Sequence, residues 1–107
     1  MRSPVVVNEE QFGPVLPVIR YKSPDEAIDR ANDSHFGLDG SVWGADTHRA
    51  AAVAAALECG TTWVNTHFSV HPGQPFGGHK SSGVGVENGR LGLEAFTEVQ
   101  VRSRAKR

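Results

Sequence analysis

A chain of 107 residues has room for one small domain, and 11 Lys+Arg against 12 Asp+Glu leave a net charge of −1, which excludes the overall basic field that nucleic acid or an anionic membrane would demand. The apolar stretches are too short to span a bilayer and the N-terminus lacks a basic region followed by an apolar core, so a soluble, cytoplasmic protein is expected. One cysteine, Cys59, excludes an intrachain disulfide, and five histidines without a second cysteine match no zinc spacing, so no metal is expected.

In chain order, Asn8-Glu9-Glu10-Gln11-Phe12-Gly13-Pro14 sets two carboxylates and a phenyl ring beside a Gly-Pro turn. A carboxylate there could take two hydrogen bonds from a vicinal diol, with the ring packing on a sugar or heterocycle, though by its composition the segment is only a turn. Val15 to Tyr21 is β-branched and apolar enough to predict a strand, with Pro17 assigning it to an edge. Ser23-Pro24-Asp25-Glu26 reads as a capping box with proline at the first helical position, opening a helix that ends at Asn32-Asp33-Ser34.

Leu38 to Trp43 predicts a second strand. Asp46 or Thr47 then caps a helix whose Ala50, Val53, Ala54 and Leu57 fall at i, i+3, i+4 and i+7, with Gly60 as the residue that stops it. Cys59, at the negative end of that helix, has a thiol pKa expected to rise, which disfavours it as a nucleophile. Thr61 to Asn65 predicts a third strand, so the order β-α-β-α-β implies a parallel sheet with two right-handed crossovers.

Thr66 to Gly85 is a long loop, of a length that usually serves function. Its His67, His71 and His79 match no common metal spacing. The run from Pro75 to Gly89 holds five glycines in fifteen residues, the mark of backbone pressed against a ligand or another chain. Gly83-Val84-Gly85-Val86-Glu87-Asn88-Gly89 departs from a dinucleotide fingerprint because its third glycine comes one residue late, and the phosphate-loop pattern is absent. Spacing therefore favours a structural or interface loop. Glu87 to Phe96 predicts a glycine-weakened helix, and Glu98 to Arg102 alternates like a final strand. The tail from Arg102 to Arg107 is locally basic and is read as a solvated terminus.

Four stretches together resemble the C-terminal part of the aldehyde dehydrogenase superfamily, in its order and spacing: Glu9 to Pro14, Ala31 to Leu38, Gly60 to Asn65, and Pro75 to Gly83. The resemblance runs from about Val5 to about Val101. It implies an α/β fold, a βαβαβ piece of the parallel sheet of the catalytic domain, followed by a long Gly-rich loop, a short helix and a C-terminal strand. Residues 1–96 would be the partial catalytic domain and residues 97–107 an oligomerisation strand with a basic tail.

The family oxidises aldehydes to carboxylic acids with NAD or NADP, through a thiohemiacetal on a cysteine. By resemblance, Glu10 hydrogen-bonds the nicotinamide ribose and Phe12 packs beside it. Phe68, Val70 and Phe76 line the aldehyde tunnel, Glu87 assists proton relay, and Glu98 sits at a subunit interface. The family's nucleophile, general base, oxyanion-hole asparagine and adenosine-binding lysine all lie upstream of the matched region, and the surroundings of Cys59 are not those of the nucleophile. Val86 stands where many members carry arginine.

These departures imply a chain that is inactive and binds no cofactor alone. It would form a homo-oligomer or associate with a longer dehydrogenase chain. The alternatives are an interaction module without enzymatic activity, or one half of a split dehydrogenase.

Overall fold

Among the described residues, Ala50, Ala54 and Trp63 form the buried apolar core, and they mark where the chain folds most tightly. The computed structural model describes residues 5–106. Its elements are α1 (Val5–Asn8), α2 (Pro24–Asn32), β1 (Phe36–Gly37), β2 (Asp39–Val42), α3 (Thr47–Ala55), β3 (Thr61–Val64), β4 (His79–Lys80) and α4 (Gly89–Glu94).

The centre is a β2–α3–β3 unit. β2 and β3 pair in parallel with Asp39 opposite Thr61 and Val42 opposite Val64, and α3 packs on both strands. Asp46 caps α3, its side chain accepting from the Arg49 N–H, so the helix begins where the sequence signal lies. The predicted apolar stripe faces inward: Ala50 and Ala54 are buried and Val53 and Leu57 half-buried. Two small residues let the helix axis approach the strands closely, and Trp63 covers the remaining space.

The helix stop differs from expectation. α3 ends at Ala55 with Ala56 as its cap, and Gly60 lies beyond in the connecting turn. Gly60 is needed for another reason: a Cβ there would collide with the carbonyl oxygen of Gly77. The glycine-rich run is thus pressed against the chain's own backbone.

α2 starts as its sequence dictates, with the Ser23 hydroxyl accepting from the Glu26 N–H at 3.2 Å. The reciprocal carboxylate bond goes one residue earlier, from the Lys22 N–H to Glu26. None of its residues is buried, and α2 and α3 line an open groove of about 680 Å3.

Two predicted strands do not form. Among the described residues, Val15 to Tyr21 and Glu98 to Arg102 have no ladder partner, and Leu16, Val18, Val99 and Val101 are largely exposed. The expected βαβαβ sheet is therefore one parallel pair with a single crossover, plus a two-residue antiparallel pair of β1 with β4. A strand exists only when a neighbour takes its N–H and C=O groups, and β propensity cannot supply one. The expected C-terminal strand within residues 97–107 is likewise absent up to residue 106, and Arg107 lies outside the described residues. The last helix is shorter than Glu87 to Phe96, spanning Gly89–Glu94 with Ala95 as its cap. α1 was not foreseen from the sequence.

The dimensions reflect this missing support. The radius of gyration is 18.7 Å, against about 13 Å for a compact domain of this length. The accessible surface is 9414 Å2, against roughly 5,800 Å2 for a compact monomer of this mass.

Candidate functional site

The residues named for cofactor, tunnel and relay lie on segments flanking the β2–α3–β3 unit. Phe76 and Glu87 come together directly: each backbone N–H donates to the other's carbonyl at 2.8 Å, closing the glycine-rich run into a narrow antiparallel bridge. Phe76 is half-buried. Gly77 follows, where a Cβ would meet the Gly85 carbonyl and Val86, so only glycine lets the two sides of the loop close.

Phe68 and Val70 sit just past β3. Trp63, in β3, donates from Nε1 to the Ser69 carbonyl at 3.0 Å and holds this stretch. His67 meets the Trp63 ring edge-on at 5.5 Å, and its Nδ1 lies 2.7 Å from the Ser41 hydroxyl of β2. Phe68 packs obliquely at 6.5 Å from Trp63 with its backbone at φ 54°, and remains two-thirds exposed. Trp63 and His67 flank one side of its ring, and the rest faces outward.

Glu10 borders a depression of about 460 Å3 whose other walls include Val7, Phe36, Leu38 and Ser82. Phe12 is 99% exposed and touches little of the chain. Glu98 is exposed too. No hydrogen bond or ion pair is found for the carboxylates of Glu10, Glu87 or Glu98 among the described residues. The structure thus brings Phe76 to Glu87 and Phe68 to Val70, and leaves Phe12 and Glu98 apart.

Asn65, at the end of the Thr-Trp-Val-Asn stretch, has a role that strand propensity concealed. At φ 54°, its amide accepts from the Gly44 N–H at 2.8 Å and donates to the Gly44 carbonyl at 2.9 Å, clamping the ends of β2 and β3. Asn32, the last residue of α2, ties that helix to the connection between α3 and β3, donating to Ala56 O and accepting from the Glu58 N–H, both at 2.9 Å. An asparagine placed just past a strand or at a helix end was the available signal.

Cys59 is half-buried, and burial pushes its thiol above the usual value, with Asp39 adding to the effect and the Thr61 backbone and Lys80 opposing it. The direction matches expectation but the cause does not, since the helix ends four residues earlier. His71 is engaged with its own turn, its Nδ1 accepting from the Gly73 N–H at 3.0 Å. No group of three or more His, Cys, Asp or Glu is placed to hold a metal among the described residues, and no helix there is long and apolar enough to cross a membrane.

A model described as the aldehyde dehydrogenase family matches residues 2–101. The chain belongs to that family. It is 46% identical over 95 residues to the betaine aldehyde dehydrogenase of Bacillus subtilis, an alignment covering 89% of this chain and 19% of that protein. It is 43% identical to the human retinal dehydrogenase 2, covering 89% of this chain and 18% of the relative. Among solved structures it resembles a Mycobacterium tuberculosis aldehyde dehydrogenase complexed with NAD+, with TM-score 0.83, 45% identity and coverage of 87% and 19%. It also resembles a Staphylococcus aureus betaine aldehyde dehydrogenase in complex with NAD+, with TM-score 0.81, 44% identity and coverage of 83% and 18%.

The chain spans 18–19% of the length of those two curated relatives. The mixed α/β architecture is that of the family's catalytic domain. Beside its depression, the Glu10 carboxylate offers hydrogen-bond acceptors of the kind a sugar diol takes. Within the glycine-rich run, Gly77 packs its carbonyl against Gly60 and Gly78 packs against Ser82 of the same run.

Proposed function

We propose that this chain carries the C-terminal part of an NAD(P)-dependent aldehyde dehydrogenase catalytic domain, which oxidises an aldehyde to a carboxylic acid through a cysteine thiohemiacetal. The 107 residues alone are catalytically inert. The observation that carries this reading is the match to the aldehyde dehydrogenase family over residues 2–101, in a chain that spans under a fifth of its relatives.

In the assembled enzyme, Glu10 accepts hydrogen bonds from the nicotinamide ribose and Phe12 covers its apolar side. Phe68, Val70 and Phe76 exclude water from the aldehyde, and Glu87 holds or passes a proton at its carboxylate. The dinucleotide supplies the hydride acceptor. Glu98 and the exposed tail contact another subunit. Alone, the chain offers Glu10 and Phe12 without a phosphate site and does not retain the cofactor.

The large exposed surface supports association with a second copy or a longer dehydrogenase chain. The same surface also suits a non-enzymatic interaction module or one half of a split enzyme, and activity separates these. Aldehyde-dependent reduction of NAD or NADP is tested with short aliphatic and aromatic aldehydes, first on the chain alone and then with a polypeptide supplying the rest of the domain. Inertness alone and turnover on mixing are expected. Turnover by the chain alone that survives Cys59→Ala would overturn the proposal, and turnover abolished by that change would make Cys59 the nucleophile.

A further inference from the structure

We propose that Lys80 is a charge-dependent latch that holds the glycine-rich loop on the β2–α3–β3 unit. Its ammonium has three N–H donors and meets three acceptors. These are the Asn32 carbonyl at 2.6 Å, the Ser34 carbonyl at 3.2 Å and the Glu58 carboxylate at 2.9 Å. The two carbonyls lie at and just beyond the C-terminus of α2, where backbone acceptors lack helical partners and the helix dipole is negative. Glu58 belongs to the turn between α3 and β3. One cation therefore joins α2, that turn and β4, and its side chain is only 26% exposed.

The surrounding bonds depend on this arrangement. Asn32, whose carbonyl meets Lys80, uses its side chain to hold Ala56 and Glu58, so a single residue couples the latch to the end of α3. Immediately after Lys80, the Ser81 N–H donates to the His35 carbonyl at 3.0 Å and the Ser82 hydroxyl accepts from the Gly37 N–H at 2.9 Å. Lys80 itself is held at φ 52°, a conformation that costs free energy in a non-glycine residue and persists only when its surroundings enforce it. The β1–β4 pair is two residues long and is too short to enforce it alone.

Lys80 is thus a positioning residue for Phe76 and Glu87, which share its loop. That consequence rests on the proposed function, whereas the latch does not. The test is amide hydrogen exchange on the full 107-residue chain, with no aldehyde or nicotinamide, so failure of the latch and failure of the functional proposal are distinguishable. Lys80→Met is expected to speed exchange at Ser81 and Gly37 by about tenfold or more relative to Asn65, whose N–H donates to Val42 in the β2–β3 ladder. Lys80→Arg, which keeps the charge, is expected to stay closer to the unaltered chain than Lys80→Met does. The latch is overturned by equal acceleration at Ser81, Gly37 and Asn65, by no acceleration, by an arginine variant as damaged as the methionine one, or by unprotected Ser81 and Gly37 amides in the unaltered chain.

Discussion

Cys59 and Gly60 stand side by side and are constrained by different physics. The thiol is pushed upward by burial and by Asp39, so the folded chain favours the protonated form. A folded-state pKa above the unfolded one contributes stability that is present below the ordinary thiol range and is lost as pH rises through the folded value. Alkylation of Cys59 by iodoacetamide is accordingly expected to rise with a midpoint more alkaline than that of the denatured chain, measured across a pH series. An equal or lower midpoint would contradict the burial seen here. Gly60 is constrained by space alone: Gly60→Ala places a methyl against the Gly77 carbonyl, and the loop must lift. The expected loss is about 1–3 kcal/mol, the usual cost of forcing extra atoms into a closed contact. It is read as a lower unfolding midpoint in urea.

Among the elements, the β2–α3–β3 unit is the part whose local signals and packing agree. Asp46 caps α3, Ala50 and Ala54 sit on its buried stripe, and Asn65 ties the strand ends through Gly44. Asp46→Ala is expected to cost about 1 kcal/mol, the usual loss for a removed cap. Asn65→Ala removes two hydrogen bonds and the residue type best suited to its left-handed backbone, for about 1–2 kcal/mol. Circular dichroism during thermal unfolding measures both, and an Asn65→Gly chain that recovers less than half of what Asn65→Ala loses would show that the amide bonds, rather than the backbone angle, dominate. The Val15 to Tyr21 segment shows the opposite relation between propensity and structure. Its composition suits a strand, but among the described residues no strand lies beside its backbone to pair with, and no side-chain pattern substitutes for that partner.

At the scale of the whole molecule, the excess surface is the dominant fact. It exceeds the compact-monomer value by roughly 3,600 Å2, more than the roughly 1,600 Å2 total that a stable protein interface buries. Light scattering on the purified chain is therefore expected to give a mass above that of one copy, falling with dilution. A stable monomer whose scattering radius is near the 18.7 Å of the single chain would count against association.

The sequence by itself determined family membership, the N-terminal cap and buried stripe of α3, and the start of α2. Those features follow from local backbone chemistry and from motifs whose order survives in one dimension. Only the tertiary structure decided that Phe76 bridges Glu87, that Gly60 and Gly77 meet, that Lys80 gathers three distant acceptors, and that two strand-like segments stay unpaired. Each depends on groups far apart in sequence meeting in space, and a strand, unlike a helix, takes its hydrogen bonds from outside itself.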